Sequence, residues 1–344
     1  MLKMRVNIMM KNYKHSCGFT MVEILVAMVI GMLVMSGAFA LHSGTRTTQK
    51  MNEAQMDMVA DARFAIEMIS HDLRHSSMWG GTNKDELITC KSTDDSCDAT
   101  PAGVVLPTDA AGAVTNDCAN LGPVWAYDLS QSVFATDGSV ANPYGATCLS
   151  GENHLAGTDI LEIKYADSNA PPTGIMANQA YIRSNFENGK IFIGDTQPII
   201  DRNDAGGSTG NHVLHAYVYY VSSNTDASDG IPSLRRASLV NGPKMQNQVL
   251  ISGVTDLQIQ LGEDTTGDRV ANRYVSPDLV GNWANVYVAK IWLLMRSDKV
   301  QKGVDTEKSF DIAGAGSVDY GGLDDYRYFM VTSTVNLRNA RPVQ

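Results

Sequence analysis

A run of 23 residues from Phe19 to Leu41 contains one charged side chain, that of Glu23. As a helix rising about 1.5 Å per residue, this run is long enough to cross a bilayer core of about 30 Å. Four basic residues and no acidic residue precede it, which by the positive-inside rule holds the N-terminus in the cytoplasm. The sequence therefore predicts one span of the inner membrane, with the remainder of the chain on the periplasmic side.

Two simpler kinds of N-terminal segment compete with this interpretation. Ala38-Phe39-Ala40 has the form of a secretory cleavage site, but the apolar run is far longer than the roughly 7 to 15 residues of a signal peptide. An ordinary uncleaved anchor helix would have no use for a carboxylate, which costs on the order of 3 kcal/mol in a membrane span. Glu23 therefore predicts a partner or a function.

A cut between Gly18 and Phe19 would supply that partner, because it creates an α-ammonium group four residues before Glu23. One helical turn, or the contact with a neighbouring subunit, would separate the two charges. The residues around the proposed cut read Gly18-Phe19-Thr20-Met21-Val22-Glu23.

This string, after a basic leader and before about twenty apolar residues, resembles the class III signal of type IV pilins and type II secretion pseudopilins. The resemblance implies cleavage after Gly18 by a prepilin peptidase and N-methylation of Phe19. It also implies that Glu23 pairs with the N-terminus of an adjacent subunit during assembly.

A second periodic segment follows the apolar run without a helix breaker. Apolar residues recur at helical spacing on one face, at Met51, Ala54, Met58, Ala62, Ala65, Ile69 and Leu73. Charged residues occupy mostly the rest of the surface, among them Glu53, Asp61, Glu67 and Asp72. The pattern predicts one helix from about Phe19 to about Ser77, whose second half packs on a globular head.

Beyond residue 80, short β-like runs alternate with turn residues. The expected strands are Asp159–Tyr165, Ala180–Ile193, His212–Ser222, Ser233–Val240, Val254–Leu261, Val286–Arg296 and Tyr328–Leu337. The fold class is therefore α+β, with an antiparallel sheet against the helix. The expected organisation is a cleaved leader at 1–18, a membrane and assembly helix at 19–41, an amphipathic half-helix at 42–78 and a periplasmic head at 79–344.

Several stretches resemble the PilW type of minor pilin in particular. They are Asp61–Arg74 with the following Met78-Trp79-Gly80, Ile231–Arg236, the acidic loop 264–268 with Arg273-Tyr274-Val275, and Val331–Asn339. The resemblance implies a pilin-like fold and a subunit that contributes to the initiation, assembly or tip complex of a type IV pilus. The implied partners are the prepilin peptidase, other minor pilins, the major pilin and a tip adhesin. Twitching, adhesion or DNA uptake would belong to the whole fibre.

Residues 82–156 form a polar insertion that holds four of the five cysteines, since Cys17 leaves with the leader. Cys90, Cys97, Cys118 and Cys148 are an even set in an oxidising compartment, so two disulfides are expected. Three connectivities are possible. Proximity in the sequence favours Cys90 with Cys97 and Cys118 with Cys148.

The remaining chemistry of the sequence is sparse. The net charge of −10 makes direct nucleic-acid binding by the bulk surface unfavourable. No catalytic or cofactor-binding motif stands out, so neither an enzyme nor a cofactor is expected. Asp264 and Asp268 are weak candidates for a calcium site, but their loop lacks the EF-hand order and a turn between strands is the simpler interpretation.

Two other functions fit the same N-terminal helix. A minor pseudopilin of a type II secretion system would use the same helix physics. A periplasmic binding domain on a simple anchor would need neither processing nor assembly. Loss of pili, compared with loss of protein secretion, would separate the first of these from a pilus subunit.

Overall fold

One helix, α1, runs from Met21 to His75. The computed structural model describes residues 18–88, 114–118, 124–138, 144, 148, 149, 154–171, 174–194, 197, 198, 200, 209–226, 229–300, 309–312, 316–319 and 326–340. The predicted single helix is confirmed, and it begins two residues after Phe19 and ends two residues before Ser77. The leader and the Cys90 and Cys97 pairing lie outside the described residues.

The chain divides into two compact units, residues 1–54 and 55–344. In the first unit, every described residue from 18 to 50 is exposed. In the second unit, α1 buries the apolar residues Met58, Ala62, Ala65, Ile66, Ile69 and Leu73. The buried face is therefore shorter than predicted: Met51 is half-buried and Ala54 is exposed.

Within the described ranges, thirteen strands follow the helix. They are β1 Val133–Thr136, β2 Ile160–Ala166, β3 Ala180–Ser184, β4 Gly189–Ile193, β5 Gly210–Ser222, β6 Ser233–Val240, β7 Lys244–Ser252, β8 Val254–Glu263, β9 Arg273–Val275, β10 Val286–Arg296, β11 Ser309–Ile312, β12 Gly316–Asp319 and β13 Tyr328–Asn336.

The strands form antiparallel sheets. In the first sheet, β1 pairs with β2 and β2 pairs with one edge of the long strand β5. The other edge of β5 pairs with β3 near the start of β5 and with β6 near the end of β5. The second sheet has the order β13-β10-β8-β9, and β11 and β12 form a separate hairpin. The predicted α+β class, a long helix with antiparallel sheets, is confirmed.

The main hydrophobic core lies between α1 and both larger sheets. Leu161 and Tyr219 of the first sheet and Ile259 and Ile291 of the second pack in one cluster with Ile69 of the helix. At about 25 cal/mol per Å² of apolar surface, this burial is the main force that holds the second half of α1 on the head.

The predicted strand Ala180–Ile193 is instead the hairpin β3–β4. Asn185 makes the turn, because its Oδ1 accepts hydrogen bonds from the backbone N–H groups of Glu187 and Asn188, both at 2.8 Å. Asn is favoured in turns for this capacity to bond to nearby backbone. The hairpin places Phe186 at its tip, where the ring is exposed.

The insertion is tied to β2 by a buried polar cluster. Glu162 accepts hydrogen bonds from the Trp125 indole N–H, at 2.5 Å, and from the Tyr144 hydroxyl. Lys164 lies 4.4 Å from the centre of the Trp125 ring and donates to the carbonyl of Asp128 at 3.0 Å. Glu162 and Lys164 are both buried, and burial raises the pKa of Glu162 and lowers that of Lys164, while the opposite charge of each group works against the shift of the other.

A disulfide joins Cys118 to Cys148 beside this cluster, across 30 residues of sequence. This is one of the two pairings favoured by sequence proximity. A disulfide that closes a loop of this length is expected to stabilise the fold by about 2 to 4 kcal/mol, because it lowers the conformational entropy of the unfolded chain.

Candidate assembly site

The N-terminus of α1 is closed by a reciprocal pair of contacts between Thr20 and Glu23. The Thr20 backbone N–H donates to Glu23 Oε2 at 3.4 Å, and the Glu23 backbone N–H donates to Thr20 Oγ1 at 3.3 Å. This is the capping-box arrangement, in which the carboxylate also interacts favourably with the positive end of the helix dipole. Glu23 therefore has a role in its own helix, in addition to the role expected between subunits.

The capping box leaves the charge of Glu23 without an opposite charge. Among the described residues its hydrogen-bond partners are the neutral groups of Thr20. The hydroxyl of Ser36, also within the apolar run, donates to the Leu33 carbonyl at 2.9 Å and is satisfied inside the helix. Among the described residues, Glu23 is thus hydrogen-bonded but has no oppositely charged partner.

Gly18 and Phe19 precede the helix in irregular backbone. Phe19 is 79% exposed, and a Cβ added at Gly18 would meet no atom within 4 Å. Both residues that flank this peptide bond are exposed among the described residues. The structure brings this bond and Glu23 within one helical turn of each other.

Among the residues that the structure describes, the apolar side chains of 19–41 have no packing partners. All of them are exposed, from Phe19 and Met21 to Leu41. In the part of the chain that the structure describes, α1 is the one helix long and apolar enough to cross a membrane. A surface this apolar needs lipid or other apolar helices around it.

Asp72 is buried and connects α1 to the sheet, although the sequence pattern placed it off the apolar face of the helix. Asp72 is 4% exposed, and its two oxygens accept hydrogen bonds from the hydroxyls of Tyr165 at 2.9 Å and Tyr219 at 2.5 Å. Arg236 lies 3.8 Å from the same carboxylate and 4.2 Å from the centre of the Tyr217 ring. The expectation that Asp72 lies off the buried face of the helix is wrong, because these partners lie on strands far away in sequence.

The tyrosines of this Asp72 cluster hold their protons strongly. Burial, together with the charge of Asp72, raises the pKa of Tyr219 well above its usual value, and burial raises that of Tyr217 to about 12. The phenol of Tyr219 therefore stays a donor to the carboxylate over the physiological range of pH.

We expect the head to lose stability in alkali. Above about pH 10 the unfolded chain releases tyrosine protons that the folded cluster retains, so the free energy of unfolding falls as pH rises towards 12, by up to about 3 kcal/mol from Tyr217 alone. Urea unfolding at about pH 8 and about pH 11 measures this slope. Tyr219→Phe should reduce this dependence of stability on pH, and Tyr274→Phe, at an exposed position, should leave it unchanged. Equal slopes in the unmodified chain and both variants would contradict the assignment of the effect to the buried tyrosines.

The acidic loop after β8 is organised by Asp264. Its carboxylate accepts backbone N–H groups from Thr266 at 2.8 Å, Gly267 at 2.7 Å and Arg269 at 2.6 Å. These hydrogen bonds outweigh the effect of desolvation and lower the pKa of Asp264. Asp268 accepts the N–H of Val270 at 3.0 Å. Both carboxylates thus act as turn-forming groups between β8 and β9.

Comparisons with known proteins agree with these features. Residues 13–39 match the prokaryotic N-terminal methylation motif, and residues 218–339 match the family described as type IV pilus-assembly protein W. A type IV-like pilin from Thermus thermophilus is similar at 13% identity and a TM-score of 0.26, over 55% of this chain and 84% of that chain, which is too low to bear on the fold. No curated protein matches.

The two matches fall on different parts of the chain. The methylation motif covers the peptide bond after Gly18 together with Glu23, and the second match begins in β5 and ends just after β13. One match therefore lies on the N-terminal segment and the start of α1, and the other lies on the sheets of the head. The chain is thus similar to type IV pilus-assembly protein W over residues 218–339 and carries the N-terminal methylation motif over residues 13–39.

Proposed function

We propose that this chain is a minor pilin that is cut between Gly18 and Phe19 by a prepilin peptidase, methylated on Phe19, and then incorporated into a pilus. The observation that carries the proposal is a peptide bond between two exposed residues one turn before Glu23, which has no oppositely charged partner among the described residues, at the start of an exposed apolar helix. The methylation-motif match over 13–39 supports it.

In this proposal Glu23 pairs with the new N-terminal ammonium of an adjacent subunit. The pair would form where water is scarce, and there a lone carboxylate is costly and an ion pair offsets that cost. Apolar packing of 19–41 among neighbouring helices would supply cohesion, and the charge pair would fix their register. Before assembly, the subunit would wait in the inner membrane with its N-terminus in the cytoplasm and its head in the periplasm.

The PilW match supports a place in the initiation, assembly or tip complex of the fibre. The partners proposed for that complex are other minor pilins, the major pilin and a tip adhesin. The matches do not favour a pseudopilin of type II secretion or an anchored binding domain. Deletion of the gene should therefore remove pili and leave protein secretion intact.

Replacement of Gly18 by Val tests the processing step. A branched side chain before the scissile bond should block cleavage, so the chain should keep its leader. From the mean residue mass of a chain of 37.2 kDa and 344 residues, the 18-residue leader adds about 2 kDa. Immunoblots of membranes and of sheared fibres measure the size and the incorporation.

Gly37→Ala is the matched control, since Gly37 is another exposed glycine of the same segment with open space at its Cβ position. That variant should be processed and incorporated normally. A Gly18→Val protein that runs at the mature size and enters fibres would refute the proposed cleavage site.

A further inference from the structure

The head contains a cavity of about 150 Å³ that the assembly site does not use. It lies at the ends of several elements: the segment after α1, the residues before β1, the turn before β10 and the residues after β13. Trp79 and Trp283 are among its lining residues, but Trp79 is 1% exposed, so Trp283 supplies the accessible indole surface. Most of its polar groups are hydroxyls and amides, among them Gln131 and the hydroxyls of Ser77 and Ser132, which are hydrogen-bonded to each other at 2.5 Å.

The walls of this cavity are fixed by polar contacts. The carboxylate of Glu263, itself buried, accepts the N–H groups of Gly281 at 2.8 Å and Asn282 at 3.1 Å. The Asn282 side chain then caps the short 3-10 turn that carries Trp283, by accepting the Ala284 N–H at 3.0 Å. These bonds fix the backbone on either side of Trp283, and the Trp283 ring itself lies against the Phe134 ring, with ring centres 4.7 Å apart. The ring is therefore held in place before any ligand arrives, which lowers the entropic cost of binding.

The opposite walls are held in the same way. The Trp79 backbone N–H donates to the Thr82 carbonyl at 2.7 Å, and the Trp79 carbonyl accepts the Ser184 hydroxyl at 2.6 Å. Asn339 ties the segment after β13 to the end of α1, by donating to the carbonyls of Arg74 at 3.2 Å and Ser76 at 3.1 Å. The cavity is thus a built feature of the head.

The lining selects a chemical class of ligand. Among the described residues it includes no Lys, Arg or His and one carboxylate, that of Asp85, so anions are disfavoured. The indole surface of Trp283 suits an apolar ring face, and hydroxyls and amides suit hydroxyl groups at the rim of that ring. The volume is well below the roughly 300 to 1,000 Å³ of sites for drug-sized ligands and close to that of a cavity that admits benzene.

We propose that this cavity binds one neutral six-membered sugar ring, such as a terminal hexose of a surface glycan. The apolar face of the sugar would stack on Trp283, and its hydroxyls would bond with the amide of Gln131 and the serine hydroxyls. For a ligand of this size the expected Kd is on the order of 1 mM. This binding is independent of processing and fibre assembly.

The test uses the full chain in polyoxyethylene detergent, which carries no sugar headgroup. Saturation-transfer NMR with glucose, galactose and N-acetylglucosamine should show transfer to at least one of them. Trp283→Ala should raise its Kd about tenfold or more, and Gln131→Ala should raise it severalfold with the head folded by circular dichroism. Phe186→Ala, which removes an exposed aromatic ring outside the cavity, should bind as the unmodified chain does.

Three results would overturn the proposal. They are absence of transfer to all three sugars, unchanged sugar affinity in a folded Trp283→Ala or Gln131→Ala protein, and binding of choline in place of the sugars. The last would assign the Trp283 indole and Asp85 to a cationic ligand through cation–π contact. Since none of these results depends on pili, they leave the proposed assembly function untouched.

Discussion

We expect Glu23→Val to leave the protein in the membrane and to remove it from fibres. Valine would make the span uniformly apolar, so membrane retention should rise. In the proposed assembly, the N-terminal ammonium of the adjacent subunit would lose its counter-charge in a region of low dielectric. Because each 1.4 kcal/mol is a factor of ten in an equilibrium, incorporation into sheared fibres should fall at least about tenfold. Immunoblots of membranes and of sheared fibres give the two amounts.

Glu23→Gln separates the charge from the capping box. The amide oxygen can still accept the Thr20 N–H, as the carboxylate does at 3.4 Å, but it has no charge. If charge pairing controls assembly, the glutamine protein should fail as the valine protein does. Normal amounts of Glu23→Gln in fibres would assign Glu23 to helix capping alone. Glu53→Gln, at an exposed position of the same unit, should assemble normally.

Asp72→Ala should lower the free energy of unfolding by about 3 to 5 kcal/mol, the usual effect of breaking a buried charge pair. The substitution leaves Arg236 without its carboxylate and removes the acceptor of the Tyr165 and Tyr219 hydroxyls. It should also detach the end of α1 from the sheet, since these contacts connect the two. Urea unfolding of the detergent-solubilised chain, followed by tyrosine and tryptophan fluorescence, measures the loss.

A neighbouring acid on the same helix supplies the control. Glu67 is exposed, and Glu67→Ala should change stability by no more than about 0.5 kcal/mol. Asp72→Asn, which keeps one acceptor oxygen, should fall between the two. Equal stabilities of Asp72→Ala and Glu67→Ala would show that the buried cluster contributes nothing.

The helix and the processing segment could be predicted from sequence because their signals are local. An uninterrupted apolar run with one acid specifies the first half of α1, and the period of the buried residues specifies the second half. Most strands rich in Val, Ile and aromatic residues were predicted within one or two residues, since their side chains alternate between the two faces of a sheet.

Other elements depend on contacts distant in sequence. β7 has few buried residues, Met245 and Ile251 among them, so its polar composition hid a strand that is formed by pairing with β6. The burial of Asp72 was missed for the same reason, because its tyrosine partners are 93 and 147 residues away. One signal could have found it: Asp72 lies seven residues after Ala65 and three after Ile69, on the buried face of the helix.

The measurement that tests the account most directly is the mass and sequence of the N-terminal peptide of the mature protein. Cleavage after Gly18 and methylation predict a peptide that begins with N-methylphenylalanine at position 19. A peptide that begins at Met1, as an uncleaved anchor would give, or at Leu41, as signal peptidase would leave it, would contradict the account.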